Sequence, residues 1–401
     1  MIQFVRERHQ CRRAGWRRDC RYRPTVAALA RVPQGDEGGA PRESSGLADL
    51  RQVRLCAGGP IGPIRRSVHR QGSCERWASR HHRALATAAR WLGWETVVIE
   101  MARADRTDFP VIDRVVRPLD GRALAVQEGG DPGGHAVLVQ PGMPCSRILY
   151  ARHLADATER RIRLISYDRP GYGGSSVHRG RSVADCAEDV RAIIDALRIE
   201  RLAVWGVSAG GPHALACAGL LSDRVVAAAT LASCAPIDAE GLDWFAGAGQ
   251  DNVDDDRLAL TDPPAARAKL KRDRDDLLNA RAADLALVYP TLFSPVDAAA
   301  VTPELIEYNV RRLQAGLAPG IEGWWDDTLA TLKPWGFSLE RIQVPVMVWH
   351  GRHDRAVPFQ HGEWLAGHLS NAEAHLSDED GHVTLGQHRV PAVHDWLLHH
   401  F

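Results

Sequence analysis

The sequence predicts an α/β fold: a mostly parallel sheet with helices on both faces, interrupted by a helical insertion and preceded by a segment outside the fold. Three observations predict it. From about residue 136, short apolar runs alternate with amphipathic stretches, the pattern of strands buried on both faces joined by crossover helices. One of those junctions, WGVSAGGPH over residues 205–213, passes from strand to helix through almost side-chain-free residues. Finally, residues 236–340 show helical periodicity without strands, too long a gap for a single crossover.

The first regular element is a hairpin, VIDRVVRP and RALAVQEG around the turn Asp120-Gly121. AVLVQ (136–140), IRLISYD (162–168), RLAVWG (201–206), VVAAATLAS (225–233), VPVMVWHG (344–351) and the strand-like AEAHLSDEDGHV follow as strands. ILYARHLADATE, VADCAEDVRAIIDAL and the stretch after Ser208 read as helices. Within the gap, TDPPAARAKLKRDRDDLL carries proline just inside its start, and TPELIEYNVRRLQAG has Thr302 as N-cap, Pro303 in its first turn and Gly316 at its end.

The first hundred residues are a different kind of sequence. They hold 19 Arg, no Lys and 9 acidic residues, a surplus of ten positive charges inside a chain whose formal net charge is zero. RERHQCRRAGWRRDCRYR and the breaks QGDEGGAPRESSG and AGGPIGPIRR show no period of 2 or 3.6, so residues 1–105 are expected to be a disordered Arg-rich extension. A misplaced start, with translation from Met101, is preferred to a basic interaction arm or a transit peptide.

No apolar h-region follows the Arg-rich opening and no run of 18 apolar residues exists, which leads to an expectation of a cytoplasmic protein without a membrane span. The balanced net charge gives no reason to expect a nucleic-acid partner. Cys11, Cys20, Cys56 and Cys74 lack zinc-site spacing, and Cys145, Cys186, Cys217 and Cys234 read as reduced core thiols. No metal or organic cofactor is expected.

The chemistry starts at Ser208. In a tight strand-to-helix turn the residue at the apex is strained, and the residues two before and two after it must be nearly side-chain-free for strand and helix to approach. Gly206 and Gly210 meet that need. This G-x-S-x-G turn resembles the nucleophile elbow of the α/β-hydrolase family. Three further segments resemble the same family over residues 111–401: RHDRAVP its acid loop, Asp380-Gly381-His382 its histidine loop, and PGMPCSR its oxyanion loop.

The resemblance implies an α/β-hydrolase core over residues 106–235 and 341–401, with residues 236–340 as a helical cap over the site. It implies Ser208 as nucleophile, Asp354 as acid and His382 as base, with the backbone N–H groups of Met143 and Ala209 forming the oxyanion hole. His350, His353 and His213 read as structural, and Asp378 or Asp380 as lesser candidates for orienting His382. Pro141 stands where the family usually has histidine, which questions the support of the oxyanion loop. DRPGYGGSS (168–176) reads as a structural landmark, the aromatics of the insertion mostly as its internal packing, and DNVDDD (251–256) as a solvated loop.

The expected activity is hydrolysis of a small hydrophobic carboxylic ester through an acyl-enzyme, with a small acyl compound as the partner. Carbon–carbon bond hydrolysis, proline iminopeptidase-like or lactonase activity, and a non-catalytic ligand-binding role on the same scaffold are the alternatives. A serine nucleophile argues against epoxide or haloalkane hydrolysis, whose family members carry aspartate there.

Overall fold

The computed structural model describes residues 99–103 and 109–401. The expectations placed on residues 1–98 lie outside the described residues.

Nine strands form one sheet: β1 (Ile99–Arg103), β2 (Val111–Val116), β3 (Leu124–Gly130), β4 (His135–Gln140), β5 (Ile162–Tyr167), β6 (Leu202–Val207), β7 (Val225–Leu231), β8 (Val346–Gly351) and β9 (Ala372–Ser377). Their spatial order is β1-β2-β3-β5-β4-β6-β7-β8-β9. β1, β2, β3 and β5 pair antiparallel in succession, and every pairing from β5 through β4 to β9 is parallel. The predicted hairpin is β2 and β3. β1, inside the 1–105 span read as an extension, adds a strand to its outer side, with Ile99 opposite Val115 and Arg103 opposite Val111.

Alternation along the strands divides the apolar residues between two layers. Ala136 and Leu138 of β4, and Leu202 and Val204 of β6, face one layer; Val137, Val139, Ala203 and Trp205 face the other. Helices α1 (Ala151–Glu159), α2 (Cys186–Ala196) and α3 (Gly210–Leu220) follow β4, β5 and β6. α2 and α3, with α10 (Phe359–His368), cover the first layer, whereas α1 and α11 (Val390–Leu398) cover the second. Because β4 sits between β5 and β6, the chain reverses its direction of travel across the sheet at the carboxyl ends of β4 and β6. Such a reversal opens a crevice where ligands bind in sheets of this kind.

The insertion between β7 and β8 is helical as expected: α4 (Gln250–Thr261), α5 (Pro263–Asn279), α6 (Ala282–Leu292), α7 (Pro295–Ala300), α8 (Pro303–Leu317) and α9 (Glu322–Thr331). Local caps set several starts, with Asp262, Ser294 and Thr302 each accepting a hydrogen bond from the backbone N–H three residues on. The segment DNVDDD, expected as a loop, lies in α4, anchored by buried Val253 and Ala259. Gly316 does not end its helix, which runs to Leu317. A Cβ at Gly316 would lie 1.9 Å from the Cys145 carbonyl oxygen, so glycine there permits close approach of the insertion to the core. Leu277, Leu285, Ile306, Leu313 and Leu317 pack together with Cys145 and Tyr172 from the core.

Among the described residues, Cys145, Cys186, Cys217 and Cys234 are free, buried thiols, and no helix is long and apolar enough to cross a membrane.

Candidate active site

Ser208 follows β6 directly and has φ of +56°, a left-handed conformation that costs a non-glycine residue about 1–3 kcal/mol. The surrounding backbone holds it there: Ser208 N–H donates to Leu231 O at 2.9 Å, and Gly211 N–H donates to Ser208 O at 2.9 Å. A Cβ on Gly206 would come within 2.3 Å of Gly210 O, and one on Gly210 within 2.0 Å of Gln140 O. The two glycines therefore let β6, α3 and the end of β4 converge on the serine.

The loop after β4 meets this turn at Gly142, where a Cβ would lie 3.3 Å from Ser208 Cβ. The backbone N–H groups of Met143 and Ala209 donate to no acceptor among the described residues. Support for the loop comes from an unexpected quarter. Arg169 Nη1 donates to Pro141 O at 2.5 Å, while Arg169 Nη2 lies 2.6 Å from Asp327 Oδ2 in α9. Asp327 also accepts from Arg181 Nη2 at 2.6 Å. Buried as it is, the Asp327 carboxyl is held well below the usual range by these two guanidinium groups. DRPGYGGSS thus props up the loop after β4 through its arginine, which meets the backbone carbonyl of Pro141.

After β8, Asp354 is turned inward and buried. Its Oδ1 accepts from Ala356 N–H and Val357 N–H, both at 2.8 Å, and its Oδ2 lies 2.8 Å from His382 Nδ1. The other groups considered for this pair have different commitments. His350 Nε2 is 3.6 Å from Asp354 Oδ2 but donates to Val357 O at 2.9 Å, and burial lowers its pKa. His353 is exposed, and His213 Nδ1 is 2.8 Å from Ala209 O. Asp380 pairs with Arg389 at 2.9 Å and Asp378 with Arg352 at 2.5 Å.

With Nδ1–H given to Asp354, His382 keeps Nε2 as an acceptor. Burial by itself would lower the pKa of this ring, but the Asp354 charge and hydrogen bond outweigh it, and Asp297 adds in the same direction, so the value is raised. Asp297, in α7 of the insertion, was not singled out from sequence. It accepts from the backbone N–H groups of His382, Val383 and Thr384 at 3.0, 2.6 and 3.1 Å. Its S-P-x-D setting marks a helix start, with nothing to indicate a second, distant turn.

Ser208, Met143, Ala209 and His382 line one cavity of about 460 Å³, roofed by the insertion. Of the aromatic residues noted in the insertion, all but Trp335 and Phe337 line it, and Tyr289, Phe293, Trp324 and Trp325 also belong to apolar clusters of the insertion, so internal packing and cavity wall are largely the same side chains. The wall is not purely apolar. Arg312 reaches it while donating from Nη1 to Pro144 O at 2.8 Å. Asp251, Asp255 and Asp256 of α4 line it too, and burial together with the neighbouring Asp255 charge pushes the Asp256 carboxyl up to about 7. Among the described residues no group of three or more His, Cys, Asp or Glu side chains could hold a metal ion.

Comparison with known proteins agrees with this fold. The chain is 32% identical to a 3-oxoadipate enol-lactonase of Acinetobacter baylyi over 95 residues, which are 24% of this chain and only 35% of that protein. It is 28% identical to a 2-hydroxy-6-oxononadienedioate/2-hydroxy-6-oxononatrienedioate hydrolase of Paraburkholderia phymatum, covering 56% of this chain and 72% of that one. An esterase structure from Exiguobacterium antarcticum superposes with a TM-score of 0.52 at 19% identity, covering 71% of this chain and 98% of the esterase, a likeness of fold alone. The family model described as alpha/beta hydrolase fold matches residues 135–388, from β4 through the turn that carries His382. The chain belongs to the α/β-hydrolase family.

Proposed function

We propose that this hydrolase cleaves a small hydrophobic carboxylic ester through an acyl-enzyme, with the insertion as a cap over the site. The observation that carries the reading is the 2.8 Å bond between Asp354 and His382 at a cavity that Ser208 also lines. A serine hydroxyl is a weak nucleophile until a base takes its proton, and a carboxylate on Nδ1 fixes the tautomer that leaves Nε2 able to do so. Ser208 Oγ attacks the carbonyl carbon, its proton passes to His382, and the Met143 and Ala209 N–H groups donate to the developing oxyanion. His382 returns the proton to the leaving alcohol, and water then releases the acid by the same route.

Two features support the substrate class. The volume suits a small molecule, and aromatic side chains form much of the wall. Arg312 favours a second reading, a lactone or carbon–carbon bond hydrolase whose substrate carries a carboxylate, because its guanidinium lies in the wall beside the oxyanion loop. The names of the enol-lactonase and dienedioate hydrolase relatives point the same way.

A fluorophosphonate probe followed by intact-mass analysis tests the nucleophile: one adduct is expected, and Ser208→Ala abolishes it. An adduct that persists on that variant removes Ser208 from the role. A panel of neutral esters of increasing acyl length, set against carboxylate-bearing lactones and dienones, separates the two substrate classes.

A further inference from the structure

The turn that carries His382 begins at Gly381, which has no side chain with which to cap it. The first N–H groups of any helical turn lack partners within the helix, and here three of them, from His382, Val383 and Thr384, are satisfied by Asp297, a fully buried residue of the insertion. Ser294 secures that carboxylate, donating from Oγ to Asp297 Oδ2 at 2.8 Å and accepting from Asp297 N–H at 3.2 Å. The fit is tight, since a Cβ on Gly381 would lie 2.3 Å from Asp297 Oδ2. Phe293, four residues earlier on the same segment, lies nearly parallel to the His382 ring, 13° off, with centroids 6.0 Å apart. Asp354 therefore holds the ring by its edge, while the insertion holds its face and its backbone.

We infer that Asp297 is a positioning residue for His382, fixing from the insertion the place of the imidazole that serves Ser208. The inference rests on the acyl-enzyme reading above. It makes the competence of the base depend on the docking of the insertion, so that binding and proton transfer share one structural element. The titratable groups around the imidazole are Asp354, Asp297 and, beyond Asp354, His350. Both carboxylates favour the imidazolium that forms during attack.

The test uses full-length protein with Asp297→Asn, which keeps the side-chain shape but loses the charge and offers the His382 N–H one acceptor fewer. The expected result is a fall in kcat of roughly 10- to 100-fold with KM little changed. The His382 titration, followed by NMR on ¹³C-labelled histidine, and the acid limb of kcat/KM both move to lower pH. Ser294→Ala, a milder change that frees Asp297 from its anchor, is expected to lower kcat in the same sense and serves if the first variant folds poorly. Wild-type kcat and titration in folded variants, or a rise in KM alone, would overturn the inference. Fluorophosphonate labelling of the wild type separates the two levels: without labelling at Ser208 the acyl-enzyme reading fails, while the titration still reports on Asp297.

Discussion

Arg169 and Asp327, 158 residues apart, form a buried ion pair that ties the helical insertion to the loop after β4. The guanidinium spends Nε and Nη2 on the carboxylate and Nη1 on Pro141 O, so one side chain couples α9 to the loop after β4. Removing one partner of a buried pair leaves the other charged and unpaired. For Asp327→Asn, with Arg169 losing its counter-charge and Arg181 left with Asp326 alone at 3.5 Å, urea unfolding should show a loss of about 3–5 kcal/mol. Turnover should also fall at temperatures where the variant is fully folded, because Arg169 no longer holds Pro141 in place. Wild-type stability in this variant would mean that the arginines find other partners.

Asp354→Asn tests the acid. The amide keeps the shape but cannot hold His382 in the charged state, and ester turnover should drop by on the order of 10⁴ with little change in Tm. Asp380→Asn is the contrast. Asp380 is committed to Arg389, so its loss should cost stability and leave most of kcat. The opposite pattern would transfer the acid role to Asp380.

The raised pKa of His382 sets the sign of the pH profile. A base acts in its neutral form, so kcat/KM should fall as pH drops through a value above 6.5, the ordinary value for histidine. His153, His213 and His361, which burial lowers to about 4, 3 and 4, are already neutral throughout that range and add no limb there. Asp256, at about 7, lies in it, so the profile is repeated with Asp256→Asn, where the limb should persist. A limb that vanishes in that variant belongs to the cavity carboxyl instead.

Truncation separates the edge of the sheet from the site. A chain begun at Ile99 keeps β1 and should retain kcat/KM on an ester. A chain begun at Ala104 loses a strand that pairs five residues with β2 and should melt at lower temperature with kcat nearly unchanged, since every side chain of the site follows residue 135. A large loss of kcat/KM in the first truncation would show that the preceding residues serve catalysis.

What the sequence determined by itself was the order of elements and the shape of the serine turn, because both are written in neighbouring residues. Strand and helix periodicity emerge from local runs, and the need for Gly206 and Gly210 beside Ser208 is a steric matter of a few bonds. The order of Ser208, Asp354 and His382, on segments that follow β6, β8 and β9, was legible for the same reason. The tertiary structure decided what depends on partners remote in the chain. Nothing near Asp297 marks it as the cap of a turn 85 residues away, and nothing near Arg169 marks the carbonyl it supports. The acidic run 251–256 could not be read as cavity wall until α4 took its rotation from the burial of Val253 and Ala259. Aromatic side chains of the insertion look alike in sequence whether they fill its core or line a cavity, and only the folded insertion shows that Tyr289 and Trp325 do both.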